Sequence, residues 1–570
     1  MKYSRLVSNT ARDCPRSVKT EGNALLQRAG FIRPVSQGLY SFLPLGVRVV
    51  ERVTRLIRRE MLTLDGQEVL LPLVNPLELW SRSGRADLIG RDMIRFRDAG
   101  GKHMVLAPTH EEAMVELVKS VVNSYRQLPV FLYQFQTKYR NEARPRGGLL
   151  RTREFVMKDG YSFHRSQTEL NNFFPKMFAA YERIFAACRV PIITAQAAVG
   201  MMLGDRSFEF LMPTEVGDDK VILCETCGYA ANHEVAVGNR DHIDEILETI
   251  DTVESQGAVT MAEVARVLGR GRNRLAKTMI YSTGSSVVLA VVRGDQEVSL
   301  EKLARALNCS SIHLADREEL AFFGLDPRAI GPIDLPTDLL ELDMKIRIVV
   351  DELVAATPNL VVASNEPGTH FVNVNFGRDY ESDVVGDIAR VLPGARCKNC
   401  GGELIDQNVV ELGHIFKLGD HYSRKMRLTL SDSRGQRFHP SIGAYGIGIG
   451  RLIGAIAEAN HDRKGLDWPV EIAPYTTFLM GIGRSAKVAA VLDALHDDFG
   501  ENMLYDDRRE SISTKFSDAD LIGVPFRIIC SPRTLEQGQV EVLRRGSTSI
   551  RRVALANVRA VVSELTGGTD

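Results

Sequence analysis

Apolar and polar residues alternate along this chain with two different periods, and the changes of period mark out its elements. From Val47 to Leu62 (VRVVERVTRLIRREML) apolar residues recur at helical spacing; a turn at Gly66 then leads into EVLLP, which reads as a strand stopped by Pro72. Met104–Glu112 (MVLAPTHEE) reads as a strand, a loop and a helix start, with Glu111 and Glu112 in the first turn, where negative charge is favoured. The runs Phe131–Glu142 and Thr152–Phe163 alternate around a Pro/Gly/Arg-rich loop and predict a β-hairpin. Arg140 and Glu142, two apart on its first strand, are expected on one face. They form either a surface ion pair or a rigid guanidinium and carboxylate suited to the polyphosphate and exocyclic amine of one nucleotide.

Beyond Asp218 the pattern changes. A CETCG knuckle at Cys224–Gly228 opens a block of mixed strand and helix, and a CKNCG knuckle at Cys397–Gly401 closes it. Between them lie a helical stretch (Met261–Leu268), strands (Ser286–Val292, Ile346–Val350) and a bend at Gly331-Pro332. AYGIGIGRLIGAIAEANH then reads as a Gly-rich strand entering a helix with Arg451 at its start; the spacing fails a dinucleotide-binding turn. After Trp468-Pro469 short segments alternate (Thr477–Ile482, Ala486–Phe499, Leu521–Gly523, Arg527–Cys530, Val553–Val562) and predict a small α/β domain.

At 570 residues the chain is too long for one core, and about three or four domains are expected. The boundaries read as 1–223, 224–405, 406–470 and 471–570, in an α/β (α+β) architecture. A net charge of −1 argues against a basic nucleic-acid coat, and DNA is not an expected partner. The start MKYSRLVSNTARDCP lacks an apolar signal region, and no apolar run reaches the roughly 18–20 residues that cross a bilayer. A cytoplasmic location is expected, so the eight cysteines are thiols or metal ligands rather than disulfides. The paired C-x-x-C-G knuckles suit a tetrahedral zinc site of Cys224, Cys227, Cys397 and Cys400, or else are tight turns with packed thiols.

The hairpin constellation, Arg140 and Glu142 with Arg153-Glu154-Phe155 and Met157-Lys158-Asp159, resembles motif 2 of class II aminoacyl-tRNA synthetases in the form found in prolyl-tRNA synthetases. The helix ending at Leu62 resembles motif 1, which builds the family's dimer interface, and the segment around Arg451 resembles motif 3. The resemblance covers nearly the whole chain and implies an antiparallel-sheet catalytic domain, an inserted α/β editing domain and a C-terminal anticodon-binding domain. It implies ATP with Mg²⁺ as cofactors, tRNA and proline as partners, and a homodimer. By the resemblance Arg140, Glu142, Arg151, Phe155 and Arg451 bind ATP, with Arg140, Glu142 and Arg451 catalytic. Thr109, Glu111, Phe208, Glu209, His414 and Ala444 form the proline pocket. Arg144, Arg146, Arg508 and Lys515 contact tRNA. Lys277, Gly331, Asp351 and His370 match the editing domain, which hydrolyses mischarged alanyl-tRNA because lost apolar contacts alone discriminate by only about 1–3 kcal/mol.

The chain departs from the family around the pocket. Phe208 stands where a histidine is usual, Ala444 where a cysteine is, and Gly450 where a serine is; Ser511-Ile512-Ser513 replaces the residues typical before Lys515. A class II ligase for another small amino or imino acid or an unusual tRNA, and a non-catalytic tRNA-binding relative, are therefore the alternatives to a proline–tRNA ligase. Retention of Arg140, Glu142, Phe155 and Arg451 argues against the last.

Overall fold

A computed structural model describes the chain except residues 14–17, 203, 240–244, 256, 259, 310–311, 336–338, 340–343, 484 and 567–570. The described residues fall into two compact units: Met1–Ile193, Val199–Asp218 and Val409–Asp570 form the first, and Thr194–Ala198 with Asp219–Asn408 the second.

In the first unit, helix α1 (Pro44–Leu62) starts at Pro44, whose missing N–H costs nothing at the first helical position. Its stripe of Val49, Val53, Leu56, Ile57 and Met61 is buried in the main core. Pairing after it is shorter than expected: only Gln67–Glu68 is strand, and Leu70 of the EVLLP run is exposed. A short helix, α2 (Arg85–Ile89), precedes the helix α3 (Glu111–Val121), whose first residues are the two expected glutamates.

The hairpin is present as β1 (Val130–Tyr139) and β2 (Glu154–His164), paired from Val130 opposite Phe163 to Tyr139 opposite Glu154. Its first strand stops short of Arg140 and Glu142. The Glu142 N–H bonds back to the Arg140 carbonyl at 2.7 Å, a tight reversal that ends the ladder, so the two side chains are held by a loop rather than a strand. Helix α4 (Gln167–Ala187), capped by Ser166, lies beneath the sheet. Strands β3 (Arg206–Pro213), β4 (Ile405–Gly419) and β5 (Ser441–Gly448) complete an antiparallel order β3-β4-β5-β2-β1, and helix α5 (Ile449–Ala459) follows β5 directly.

The C-terminal part has a five-stranded sheet of its own, in the order Met503–Asp506, Thr477–Gly481, Phe526–Cys530, Gln539–Arg544 and Ile550–Ala554. The segment Leu521–Gly523 is the end of a helix (Ile512–Ile522) with Gly523 as its left-handed cap. Phe478, Leu504, Ala519 and Ile522 share one hydrophobic cluster with α1 and α5, so this sheet packs continuously with the first.

The second unit holds a mixed sheet built on Ala276–Ser282, Ser286–Arg293 and Lys345–Asp351, and a three-stranded antiparallel sheet of Asp251–Glu254, Thr369–Val374 and Leu360–Ala363. Val287 to Val292 is buried throughout, as a central strand covered on both faces requires.

Candidate active site

A cavity of about 520 Å³ opens on the face of the first unit's sheet away from α4. Thr109, Glu111, Arg140, Glu142, Arg151, Phe155, His414, Ala444 and Arg451 all line it. On β5 the inward positions are Ala444, Gly446 and Gly448, so nothing larger than a methyl rises from that strand and a flat ligand can lie close to the backbone.

Carboxylates of Glu111 and Asp159 belong to the lining. The Thr109 hydroxyl donates to Glu111 Oε2 at 2.6 Å, and the buried Arg85 donates to the same oxygen at 3.0 Å. Nearby, Asp159 accepts from Tyr161 at 3.0 Å and from Gln134 at 2.9 Å, and pairs with the buried Lys138 at 2.7 Å. Arg140, Arg151 and Arg451 are cations of the same lining. Arg140 lies over the Phe155 ring, 5.3 Å from its centroid, and donates to the Pro108 carbonyl. Burial, and then the charge of Arg451, pull the Arg140 pKa down. Two cations facing one cavity repel, and an anion between them relieves that repulsion.

Glu411 is a cavity residue the sequence pattern did not reveal. It accepts from Arg451 at 3.1 Å, and its other oxygen lies 3.0 Å from His414 Nδ1. Residues three apart on a strand ordinarily face opposite ways. Here Phe210 pairs with Gly413 while Leu211 pairs with Glu411, so Leu412 is an extra residue, and this bulge turns Glu411 and His414 to the same side. Gly413 inside a strand-like run is the one local sign of it. Burial pushes the Glu411 carboxyl up, but its His414 hydrogen bond and the Arg451 and Arg140 charges outweigh burial and hold it well below the usual carboxylate range. His414 stacks on Phe416 with centroids 3.8 Å apart, and its Nε2 is buried with no partner among the described residues.

Phe208 is a correction. Its ring packs against Phe174 and Phe178 of α4, while its neighbour Glu209 reaches within 3.8 Å of His414. Strand alternation therefore turns Phe208 to the α4 side and away from the cavity. The missing histidine there alters the packing under the sheet and leaves the pocket lining untouched.

Arg508 and Lys515 are also corrected. Arg508 bridges Asp506 and Asp518 at 2.8 and 2.7 Å with its guanidinium 3.7 Å above the Tyr3 ring, and Lys515 donates to the Asp506 carbonyl at 3.0 Å. The Asp506 side chain is fully buried and takes its compensating charge from these cations, so neither is offered to a ligand. Arg509 beside them is exposed. Arg144 is exposed as well, and Arg146 is bonded to Asp218, which Arg151 also approaches at 3.5 Å.

Residues 94–460 match the class II core domain of tRNA synthetases (G, H, P, S and T), and residues 483–565 match an anticodon binding domain. A proline–tRNA ligase of Dehalococcoides mccartyi strain CBDB1 is 38% identical over 560 residues, 96% of each chain. One of Staphylococcus aureus strain COL is 36% identical over 572 residues, 99% of each. The chain belongs to the proline–tRNA ligase family. It is a class II aminoacyl-tRNA synthetase that charges tRNA with proline. Its fold is also that of a Cryptosporidium parvum prolyl-tRNA synthetase solved with halofuginone and AMPPNP, at a TM-score of 0.56 and 12% identity, over 96% of this chain and 77% of the other.

In this ligase's second unit the four other candidates divide. Gly331 and His370 both border Ala363: a Cβ on Gly331 would lie 1.9 Å from the Ala363 carbonyl oxygen, and Ala363 pairs with His370. His370 Nδ1 is buried without a partner among the described residues. Lys277 donates to Glu297 at 2.8 Å, on a strand separated from that of Asp351 by Ser286–Arg293. Asp351 is fully buried and accepts from the Leu353, Ile388 and Ala389 N–H groups at 2.9–3.0 Å; it braces the backbone. The four cysteine sulfurs lie within 4.8 Å of one another, with Cys224–Cys400 at 3.5 Å and Cys227–Cys397 at 3.7 Å. No helix among the described residues is long and apolar enough to cross a membrane.

Proposed function

We propose that the cavity activates proline with ATP, Glu111 and Thr109 taking the amino acid and Arg140 and Arg451 the nucleotide. The observation that carries this is the lining of one cavity, which brings the Glu111–Thr109 pair together with the cations Arg140 and Arg451. A secondary ammonium has two N–H groups to donate, and the Glu111 carboxylate and Thr109 oxygen can accept them. Arg140 contacts the α-phosphate, Phe155 and Arg451 flank the adenine, and Glu142 with Arg151 stands at the outer, nucleotide end. Proline's carboxylate oxygen attacks the α-phosphorus and pyrophosphate departs; a ribose hydroxyl of the tRNA terminus then attacks the acyl carbon and displaces AMP. The protein orients and balances charge throughout. His414 and Ala444 border the amino acid, with Glu209 behind His414. Glu411 and Glu209 supply oxygens that suit the Mg²⁺ accompanying ATP, which screens the triphosphate.

Arg144 and Arg146 face the tRNA acceptor end, and Arg509 replaces Arg508 and Lys515 as the cation available near the anticodon. The second unit hydrolyses alanyl-tRNA, with His370 and Gly331 bounding a small pocket, Lys277 meeting a phosphate once Glu297 yields it, and Asp351 as framework. The cysteine cluster fits zinc: a tetrahedral site with Zn–S bonds of about 2.3 Å has sulfurs about 3.8 Å apart, near the spacing present. Zinc there is structural and ties the two knuckles together. Exposed Leu62, Leu70 and Val74, on and after α1, support a homodimer through that segment.

The test is amino-acid-dependent ATP–pyrophosphate exchange with proline and alanine, paired with hydrolysis of alanyl-tRNA by the same full-length protein. Strong exchange with proline and measurable hydrolysis of the alanyl ester are expected. Exchange with another amino acid in preference to proline contradicts the assignment of the pocket.

A further inference from the structure

Arg85 is a buried cation of the cavity lining, bonded to Glu111, and nothing in its local sequence marks it out. The helix Leu77–Ser83 ends at Gly84, whose φ of 83° is left-handed; the chain re-enters α2 at once and turns Arg85 inward. Its side chain has no solvent exposure, and its guanidinium carbon lies 5.1 Å from the Trp80 ring centroid and 5.6 Å from that of Tyr422. From there Nη1 reaches Glu111 Oε2 at 3.0 Å and both Glu112 oxygens at 3.2 Å, while Ser83 donates to Glu112 at 2.7 Å.

Glu111 and Glu112 are consecutive and buried, and they share this one guanidinium. Lys138 and Arg140 also act on Glu111, and burial pushes the Glu112 carboxyl up, so what Arg85 alone supplies is the hydrogen bond that fixes where the Glu111 carboxylate sits. Glu111 lines the cavity and Glu112 is not among the lining residues, so a ligand nitrogen in the cavity meets Glu111.

We propose that Arg85 is a positioning residue for amino-acid selection: it locks the Glu111 carboxylate against Thr109 and so fixes the acceptor that a small cationic nitrogen meets. The proposal rests on Glu111 as the ligand of the proline nitrogen. A rival role is purely structural, with Arg85 present only to neutralise Glu112.

A double substitution separates the two. Arg85→Met with Glu112→Gln removes the guanidinium together with the carboxylate that does not line the cavity, so Glu111 keeps its charge but is held by Thr109 alone, and the glutamine can still accept from Ser83. Exchange kinetics and thermal unfolding of the full-length protein are measured for this variant, for Arg85→Lys and for Glu111→Gln. The expected result is a folded double variant with KM for proline raised about tenfold or more and KM for ATP within about twofold of wild type. Arg85→Lys restores the charge but not the fork and should recover part of the loss. A proline KM within about twofold of wild type in the double variant overturns the proposal. If that variant does not fold, Arg85→Lys carries the test: a raised proline KM with unchanged ATP KM supports the positioning role, and no change overturns it. An unchanged proline KM in Glu111→Gln overturns the assignment of Glu111 and the proposal with it. A raised KM there beside an unaffected double variant overturns the proposal alone.

Discussion

The two units of this ligase use charged and polar side chains in opposite ways. In the first, Glu111, Arg140, Glu411, His414 and Arg451 line a common cavity, where carboxylates and guanidinium groups both face a ligand. In the second, the carboxylate of Asp351 accepts from three backbone N–H groups, Lys277 is paired with Glu297, and of the four candidate residues His370 has a buried nitrogen without a partner among the described residues. The first unit is built to bind charge that arrives from outside. In the second, these candidates mostly hold its own backbone, and the hydrolysis we propose for it leans on His370 and the bend at Gly331.

That contrast can be broken by substitutions expected to act on one unit alone. The largest effect belongs to Arg140→Ala, which removes the charge facing the α-phosphate: proline-dependent exchange should fall by about 10²–10³ in kcat while alanyl-tRNA hydrolysis stays within about twofold. A parallel loss of both activities would show that the units are not separable in function. Next is the cysteine cluster. Cys227→Ser with Cys400→Ser should abolish bound zinc by metal analysis, lower the unfolding temperature of a distinct transition and cut hydrolysis about tenfold, with exchange retained. His370→Ala should reduce hydrolysis of the alanyl ester about fivefold without moving KM for proline.

A smaller effect comes from the buried His164 of the first unit, whose pKa burial lowers to about 4. The folded protein holds it neutral while the unfolded chain protonates near 6.5, so its stabilising share is full above that pH and is lost as pH falls toward 4. Thermal unfolding across pH 7 to 4 should show a decline that is shallower in His164→Gln. The smallest effect is expected from Phe208→His, which changes packing against α4 and should leave KM for proline within about twofold.

The hairpin, α1, the start of α3 and the Gly-rich strand before Arg451 were legible in the sequence because each is written in local periodicity and turn chemistry. Most of the cavity lining followed from motif resemblance. What failed needed information that local sequence does not carry. Arg508 and Lys515 look like exposed cations until Asp506 is seen buried beneath them. Phe208 was misplaced because a one-residue difference in strand parity sends a side chain to the other face. Glu411 was missed because its direction depends on the Leu412 bulge, and Arg85 because Gly84 takes a left-handed conformation that brings a distant arginine to Glu111.

The division of the cavity between amino acid and nucleotide is the centre of the account, and steady-state exchange kinetics of Glu111→Gln and Arg451→Gln, with proline and ATP varied separately, test it most directly. The expected result is a crossed pattern, KM for proline raised at least about tenfold in the first variant and KM for ATP in the second. Equal effects of both substitutions on both constants would contradict a cavity divided into an amino-acid end and a nucleotide end.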